Sequence, residues 1–324
     1  MYGYEKRQRS FRKIIPRWKG SLDNPKLLVF GGTGFIGSHI VTEGVKRGLH
    51  VTCVSHKKKI QTNEHLSSIL ADLNSTESIK SILSKESFEY IIHAGGYIDH
   101  THYKNGGEKV IQQHLNSLYS IVSNLDRTKL KRFIFLGSSD EYGNAKAPQM
   151  ESIREKPISP YSFAKTAGSH FLQMLHKSEN FPATIARLFL TYGPGQDDNR
   201  FLPMIIKGCL KDEEFPTSYG EQLRDFCYIQ DTVDGIFSML DSDEAVGEIF
   251  NLASGRKISI RSMIDKIVQL VGKGKPIYGQ VPYRVGENME LYADITKAKE
   301  ILNWEPKVSL DEGLKETIQF YKNA

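Results

Sequence analysis

Lys26-Leu27-Leu28-Val29-Phe30-Gly31-Gly32-Thr33-Gly34-Phe35-Ile36-Gly37 decides the fold. A short apolar run without polar alternation reads as a strand buried on both faces. Glycines at 31, 34 and 37 then turn the chain sharply into a segment with helical spacing (36–48). Gly31 and Gly34 permit a tight turn and close approach to a pyrophosphate, and Gly37 lets the helix lie against the sheet. The helix start offers unpaired N–H groups and partial positive charge to the anion. The turn from Gly31 through Thr33, Gly34, Phe35, Ile36 and Gly37 is therefore the candidate dinucleotide cradle.

Outward from this unit the pattern repeats. VTCV (51–54), EYIIH (89–93), RFIFLG (132–137) and ATIARLFL (183–190) read as further strands, with helical segments at 75–85, 108–125 and 160–178. Such alternation predicts an α/β, Rossmann-type, doubly wound parallel sheet. The expected organisation is a basic N-terminal extension (1–25), a dinucleotide-binding domain (26–190) and a smaller substrate-binding lobe (191–324). Some segments of that lobe are expected to return to the first domain. A final amphipathic helix is expected at about 310–322.

Composition agrees with a globular chain of 324 residues, 39% hydrophobic and 25% charged. Cys53, Cys209 and Cys227 form neither a disulfide framework nor a metal pattern, which points to a cytoplasmic compartment. No apolar run reaches the ~18 residues of a membrane span. The net charge of +5 comes from the first 26 residues, where eight Lys and Arg face two acids. The remainder is nearly neutral, so nucleic acid is not an expected partner. The basic arm reads as a loosely packed extension rather than a secretion signal.

The tip of the second strand distinguishes the two common dinucleotides. An Asp or Glu there binds the ribose hydroxyls of NAD. Here stand Ser55, His56, Lys57, Lys58 and Lys59, which favours NADP, with NAD as the alternative. Asp72 and Leu73, after a short third strand, are expected at the adenine end.

Tyr161 and Lys165 lie one turn apart in SPYSFAK, with Ser159 as N-cap and Pro160 at the first helical position. A neighbouring ammonium and an oxidised nicotinamide both favour phenolate, which makes Tyr161 the candidate proton carrier. Ser138 ends a strand at the carboxyl edge, where open parallel sheets bind ligands. His93, Asp99, His100 and His102 lack metal-ligand spacing.

These motifs resemble the extended short-chain dehydrogenase/reductase superfamily, in its branch of nucleotide-sugar epimerases, dehydratases and reductases. The resemblance runs from Lys26 to the C-terminus. It includes Asn116, SSDEYG (138–143), RLFLTYGPGQ (187–196), GEQLRDFCYIQD (220–231) and NWEPKVSLDEGLKETIQFY (303–321). It implies Ser138, Tyr161 and Lys165 as catalytic residues, with Lys165 also touching the cofactor. A nucleoside-diphosphate sugar is implied as substrate, met by Ser139, Asp140, Phe201, Arg224 and Arg284. A homodimer built on the 108–125 and 160–178 helices is implied too. Relatives often carry Asn where this chain has Leu190, so one diphosphate contact is lost.

Dehydratases of this branch read Thr-Asp-Glu-Val-Tyr-Gly. Aligned without a gap, Ser139 replaces the acid, Asp140 the base, and Glu141 falls in an apolar slot, poor equipment for elimination. The chain looks most like the NADPH-dependent reductases of nucleotide-linked 4-keto-6-deoxy sugars, such as CDP-abequose synthase, which serve surface polysaccharide. The alternative is an NAD-dependent 4-epimerase. From another class, a regulatory or scaffolding NADP-binding protein would not need the retained Ser-Tyr-Lys set.

Overall fold

The computed structural model describes residues 24–283 and 286–323. Its centre is a seven-stranded, all-parallel sheet. β1 (Lys26–Phe30), β2 (His50–Ser55), β3 (Leu66–Leu70), β4 (Tyr90–His93), β5 (Arg132–Ser138), β6 (Ala183–Leu188) and β10 (Ile249–Leu252) run in the order β10-β6-β5-β4-β1-β2-β3.

Successive residues of these strands feed two different cores. Leu27, Val29, Val51, Cys53, Ile92 and Ile134 join one apolar cluster, while Leu28, Phe30, Val54, Ile91, Phe133 and Ile185 join the other. Helices α1 (Phe35–Lys46) and α6 (Ile229–Asp241) supply buried residues to the first face. α2 (Thr76–Leu83), α3 (Gly107–Asn124) and α4 (Pro160–Glu179) supply the second. Burial on both faces explains why the strands read as continuous apolar runs.

Local chemistry sets the helix ends. Ser75 caps α2 by accepting from the Ser78 amide, and Ser159 caps α4 through Ser162 with Pro160 in the first turn. α4 stops at Asn180, whose φ of 53° breaks the helix.

The stretch 183–190, expected as one strand, is divided. β6 ends at Leu188, and β7 (Leu190–Tyr192) pairs with β9 (Leu223–Tyr228) of another sheet. Phe189 makes the change while its amide stays bonded to Leu252 O of β10. The second sheet adds β11 (Lys257–Ser259) and β13 (Glu290–Leu291) to β9. A small pair joins β8 (Glu214–Pro216) to β12 (Lys275–Ile277). α5 (Phe201–Lys211), α7 (Ile260–Val271), α8 (Thr296–Leu302) and α9 (Leu310–Asn323) pack around these strands. No helix among the described residues is long and apolar enough to cross a membrane. Cys53, Cys209 and Cys227 are buried free thiols. Most of the basic arm and Arg284 lie outside the described residues.

Candidate active site

The glycine turn is a cradle that side chains would fill. Gly31 adopts φ of 79°, and a methyl there would stand 2.7 Å from Ala94 O. A methyl on Gly37 would overlap the Gly31 carbonyl oxygen. Gly34 N-caps α1 without a side-chain cap, so the first-turn amides keep the donors that a pyrophosphate would use. The residues present therefore fit a dinucleotide.

The tip of β2 differs from expectation in two ways. Ser55 is buried, and its hydroxyl donates to Lys58 O, closing the turn instead of facing a 2′-phosphate. A carboxylate does reach the tip, from the loop after the adjoining strand β3: Asp72 lies 3.8 Å from His56 Nδ1. Asp72 also accepts from the amide and side chain of Asn74. Lys57, Lys58 and Lys59 remain exposed. Leu73 packs over Gly95, beside the cradle.

β5 and α4 bring the catalytic candidates together. Ser138 ends β5, and its hydroxyl lies near enough to Tyr161 to lower the pKa of the phenol. Ser138 Oγ also accepts from the Asp140 amide, 3.1 Å away. Lys165 Nζ donates to Leu136 O at 2.8 Å and lies 5.9 Å from the Tyr161 ring centre. Burial raises the Tyr161 pKa, and the charges of Asp140 and Glu141 add to it; the Ser138 hydroxyl and Arg200 oppose. Burial pushes Lys165 down to about 8, against the pull of Glu141.

Two imidazoles flank the phenol. The rings of His100 and His114 stand edge-on to Tyr161, with centres 5.8 and 5.6 Å away. His114, on α3, faces the Tyr97 carbonyl at 3.1 Å and is pushed down to about 3 by burial and Lys165. His93, at the end of β4, is also lowered to about 3, by burial, Lys165 and His114. His100 lies 3.7 Å from Asp140 Oδ2. Sequence reasoning missed His114, although its place between Val110 and Leu118, at helical spacing, puts it on the buried stripe of α3. Asn116 is exposed on the same helix.

The substrate candidates are spread more widely. Ser139 is buried, and Asp140 is partly exposed toward His100. Arg224, on β9, forms an ion pair with Glu287 and donates to Leu223 O at 2.9 Å, a carboxylate partner where a diphosphate was expected. Phe201 starts α5 and packs its ring 6.1 Å from Phe226. Arg200, immediately before it and not foreseen from the sequence, is close enough to act electrostatically on Tyr161. Leu190 is 37% exposed on β7. Glu141 turns inward, which leaves Asp140 as the acid of this turn nearest Tyr161. No group of His, Cys, Asp or Glu among the described residues is arranged to hold a metal ion.

Known proteins share this fold. The chain is 29% identical over 323 residues to a UDP-N-acetyl-alpha-D-glucosaminuronate decarboxylase of Bacillus cytotoxicus, covering 92% of this chain and 98% of that one. It superposes on a UDP-glucose 4-epimerase of Thermotoga maritima, solved with UDP-glucose, with a TM-score of 0.85 and 27% identity over 92% of this chain and 99% of that one. A UDP-glucuronic acid 4-epimerase of Bacillus cereus, solved with UDP-glucuronic acid and NAD, gives 0.83 and 27% over the same shares. Residues 27–253 match the NAD dependent epimerase/dehydratase family. With its glycine cradle and with Ser138, Tyr161 and Lys165 brought together, the chain belongs to that family and is an NAD(P)-dependent nucleotide-sugar enzyme of the short-chain dehydrogenase/reductase type.

Proposed function

We propose that this enzyme oxidises and re-reduces C4 of a nucleoside-diphosphate hexose, acting as a 4-epimerase with NAD. The observation that carries the reading is the convergence of Ser138, Tyr161 and Lys165, all three buried, with the Lys165 ammonium 5.9 Å from the Tyr161 ring centre, on a fold close to 4-epimerases. The Gly31–Gly37 turn would hold the pyrophosphate, and Asp72 at the β2 tip suits ribose hydroxyls better than a 2′-phosphate. When bound, the nicotinamide supplies hydride acceptance and return.

The chain's own groups handle the proton. Ser138 hydrogen-bonds the C4 oxygen while Tyr161 takes the hydroxyl proton, and the same phenol returns it when the ketone is reduced. Lys165 stabilises the phenolate electrostatically. The neutral His93 and His114 add no competing positive charge near Lys165 at neutral pH.

The second reading is NADPH-dependent reduction of a 4-keto-6-deoxy sugar. The exposed Lys57–Lys59 run favours it, as a counter-charge for a 2′-phosphate. Incubation with UDP-glucose or UDP-galactose, followed by proton NMR of the anomeric region, tests the first reading. Interconversion without added reductant supports it. No interconversion, with NADPH consumed on CDP- or dTDP-4-keto-6-deoxyglucose, replaces it with the second. Exposed Tyr119, Phe163 and Met174 on α3 and α4 support a homodimer through these helices, which light scattering of the purified chain checks.

A further inference from the structure

Beneath Ser138 lies a charged cluster that the redox scheme does not use. Glu141 and Arg187 are both fully buried, with Nε 2.9 Å from Oε2. The same carboxylate accepts from the Ser138 amide at 2.8 Å and the Ser169 hydroxyl at 2.9 Å. Arg187 also forms an ion pair with Glu155 and lies over the face of the Tyr142 ring, 4.7 Å from its guanidinium carbon. Gly137 makes room for the group, since a methyl there would stand 2.5 Å from Glu141 Oε1.

For stability alone this arrangement is a poor choice. A buried ion pair is often no better than well-packed apolar residues of similar volume. A carboxylate with three donors, pressed against the strand end that carries the catalytic serine, has a different use.

We propose that Glu141 is a positioning residue of the active centre: held by Arg187, it fixes the backbone that presents Ser138 and places a negative charge beneath Tyr161 and Lys165. The inference rests on the proposed redox role of those two residues. Glu141 raises the pKa of both. The other charged and titratable groups around them are His93 on β4, His100 in the loop after it, His114 on α3, Asp140 in the turn after β5, and Arg200 before α5. Arg187 and Tyr142 face Glu141 itself. Replacing Glu141 alone leaves all of these in place.

The test is Glu141→Gln in the full chain, with two readouts. One is the pH profile of kcat for sugar oxidation. The other is the titration of Lys165 in protein labelled with carbon-13 at lysine Cε, its resonance assigned by loss in Lys165→Arg. Glutamine keeps an acceptor for the Ser138 amide and removes the charge. The acid limb of kcat is expected to move down by about one pH unit, and Lys165 to titrate correspondingly below its wild-type value. Unmoved titrations accompanied by a lower Tm overturn the proposal, because Glu141 is then only structural. Should Glu141→Gln not fold, Glu141→Asp decides. It keeps the charge but withdraws it from the Ser138 amide, so kcat should fall at least tenfold with KM and the Lys165 titration unchanged; an unchanged kcat overturns the proposal. Absence of wild-type turnover on any nucleotide sugar defeats the proposed function instead, and the Lys165 titration still answers for Glu141.

Discussion

Gly37→Ala is the sharpest perturbation of the cofactor cradle. Its methyl would stand 2.9 Å from the Gly31 carbonyl carbon and closer still to the oxygen. Restoring an ordinary contact of about 3.5 Å requires the start of α1 to retreat by ~1 Å. Amides set to donate at ~2.9 Å would then stand near ~3.9 Å from a phosphate oxygen, beyond hydrogen-bond range. Losing one or two charge-assisted bonds of ~1.5 kcal/mol each weakens dinucleotide binding by roughly 10- to 150-fold. Stability should change little, because better helix propensity (~1 kcal/mol) offsets part of an overpacking cost of ~1–3 kcal/mol. Gly44→Ala, in the same helix but away from the cradle, is the control: its methyl meets the Val51 and Leu27 side chains of β2 and β1. Calorimetric titration with NAD and NADP, beside thermal melts, reads both quantities. If Gly37→Ala binds dinucleotide as tightly as Gly44→Ala does, the cradle does not hold the pyrophosphate.

Tyr161→Phe should lower kcat by ~10²–10⁴ while leaving cofactor affinity intact; undiminished turnover removes Tyr161 from the chemistry. An undiminished cellular role would instead point to a binding protein. His93 and His114 stay neutral in the folded chain down to about pH 3, whereas unfolded imidazoles protonate near 6.5. The unfolded state therefore binds more protons in that window, and stability falls on acidification from 6.5 toward 3 by up to ~1.4 kcal/mol per pH unit per histidine. Urea midpoints should show a slope reduced by about half in His114→Gln; an identical slope refutes the assignment. Lys165 has the complementary signature: its folded value of about 8 lies below the usual 10.5. Its burial therefore destabilises the fold below pH 8, and that cost disappears as pH rises to 10.5. Lys165→Met should raise Tm at pH 7 by more than at pH 9.5, a gap that differential scanning fluorimetry resolves. Finally, replacing Lys57, Lys58 and Lys59 by Ser should leave the Kd for NAD unchanged, and a selective loss of NADP binding would restore the reductase reading.

Much of this was legible in the chain itself, for physical reasons. Strands such as 132–137 are buried on both faces, so their apolar composition marks them without any neighbour being known. The SPYSFAK helix announces itself through Ser159, Pro160 and the four-residue spacing of Tyr161 and Lys165, all local signals. The break at Phe189 was invisible because the apolar run continues across it, and only pairing with β9, some 36 residues later, separates β7 from β6. β11, β12 and β13 span two or three residues each, too few for any period to show. Arg224 finds Glu287 63 residues away, and Arg187 finds Glu141 46 residues back, so their partners had no sequence signature. The acid missing from the β2 tip was sought at the end of its own strand, yet Asp72 arrives from the loop after the neighbouring one.

The seventh strand carries a consequence for engineering. β10 abuts β6 in the sheet, but about sixty residues separate them along the chain, and those residues build α5, α6 and part of the second sheet. Cutting after residue 190 therefore cannot liberate a self-sufficient nucleotide module: the excised piece would expose the hydrogen-bonding flank of β6 and the apolar flank that α6 covers. Such a fragment invites strand addition from its own copies. Grafting a different sugar pocket onto this scaffold is better done by exchanging the excursion between β6 and β10, whose two anchors already lie side by side.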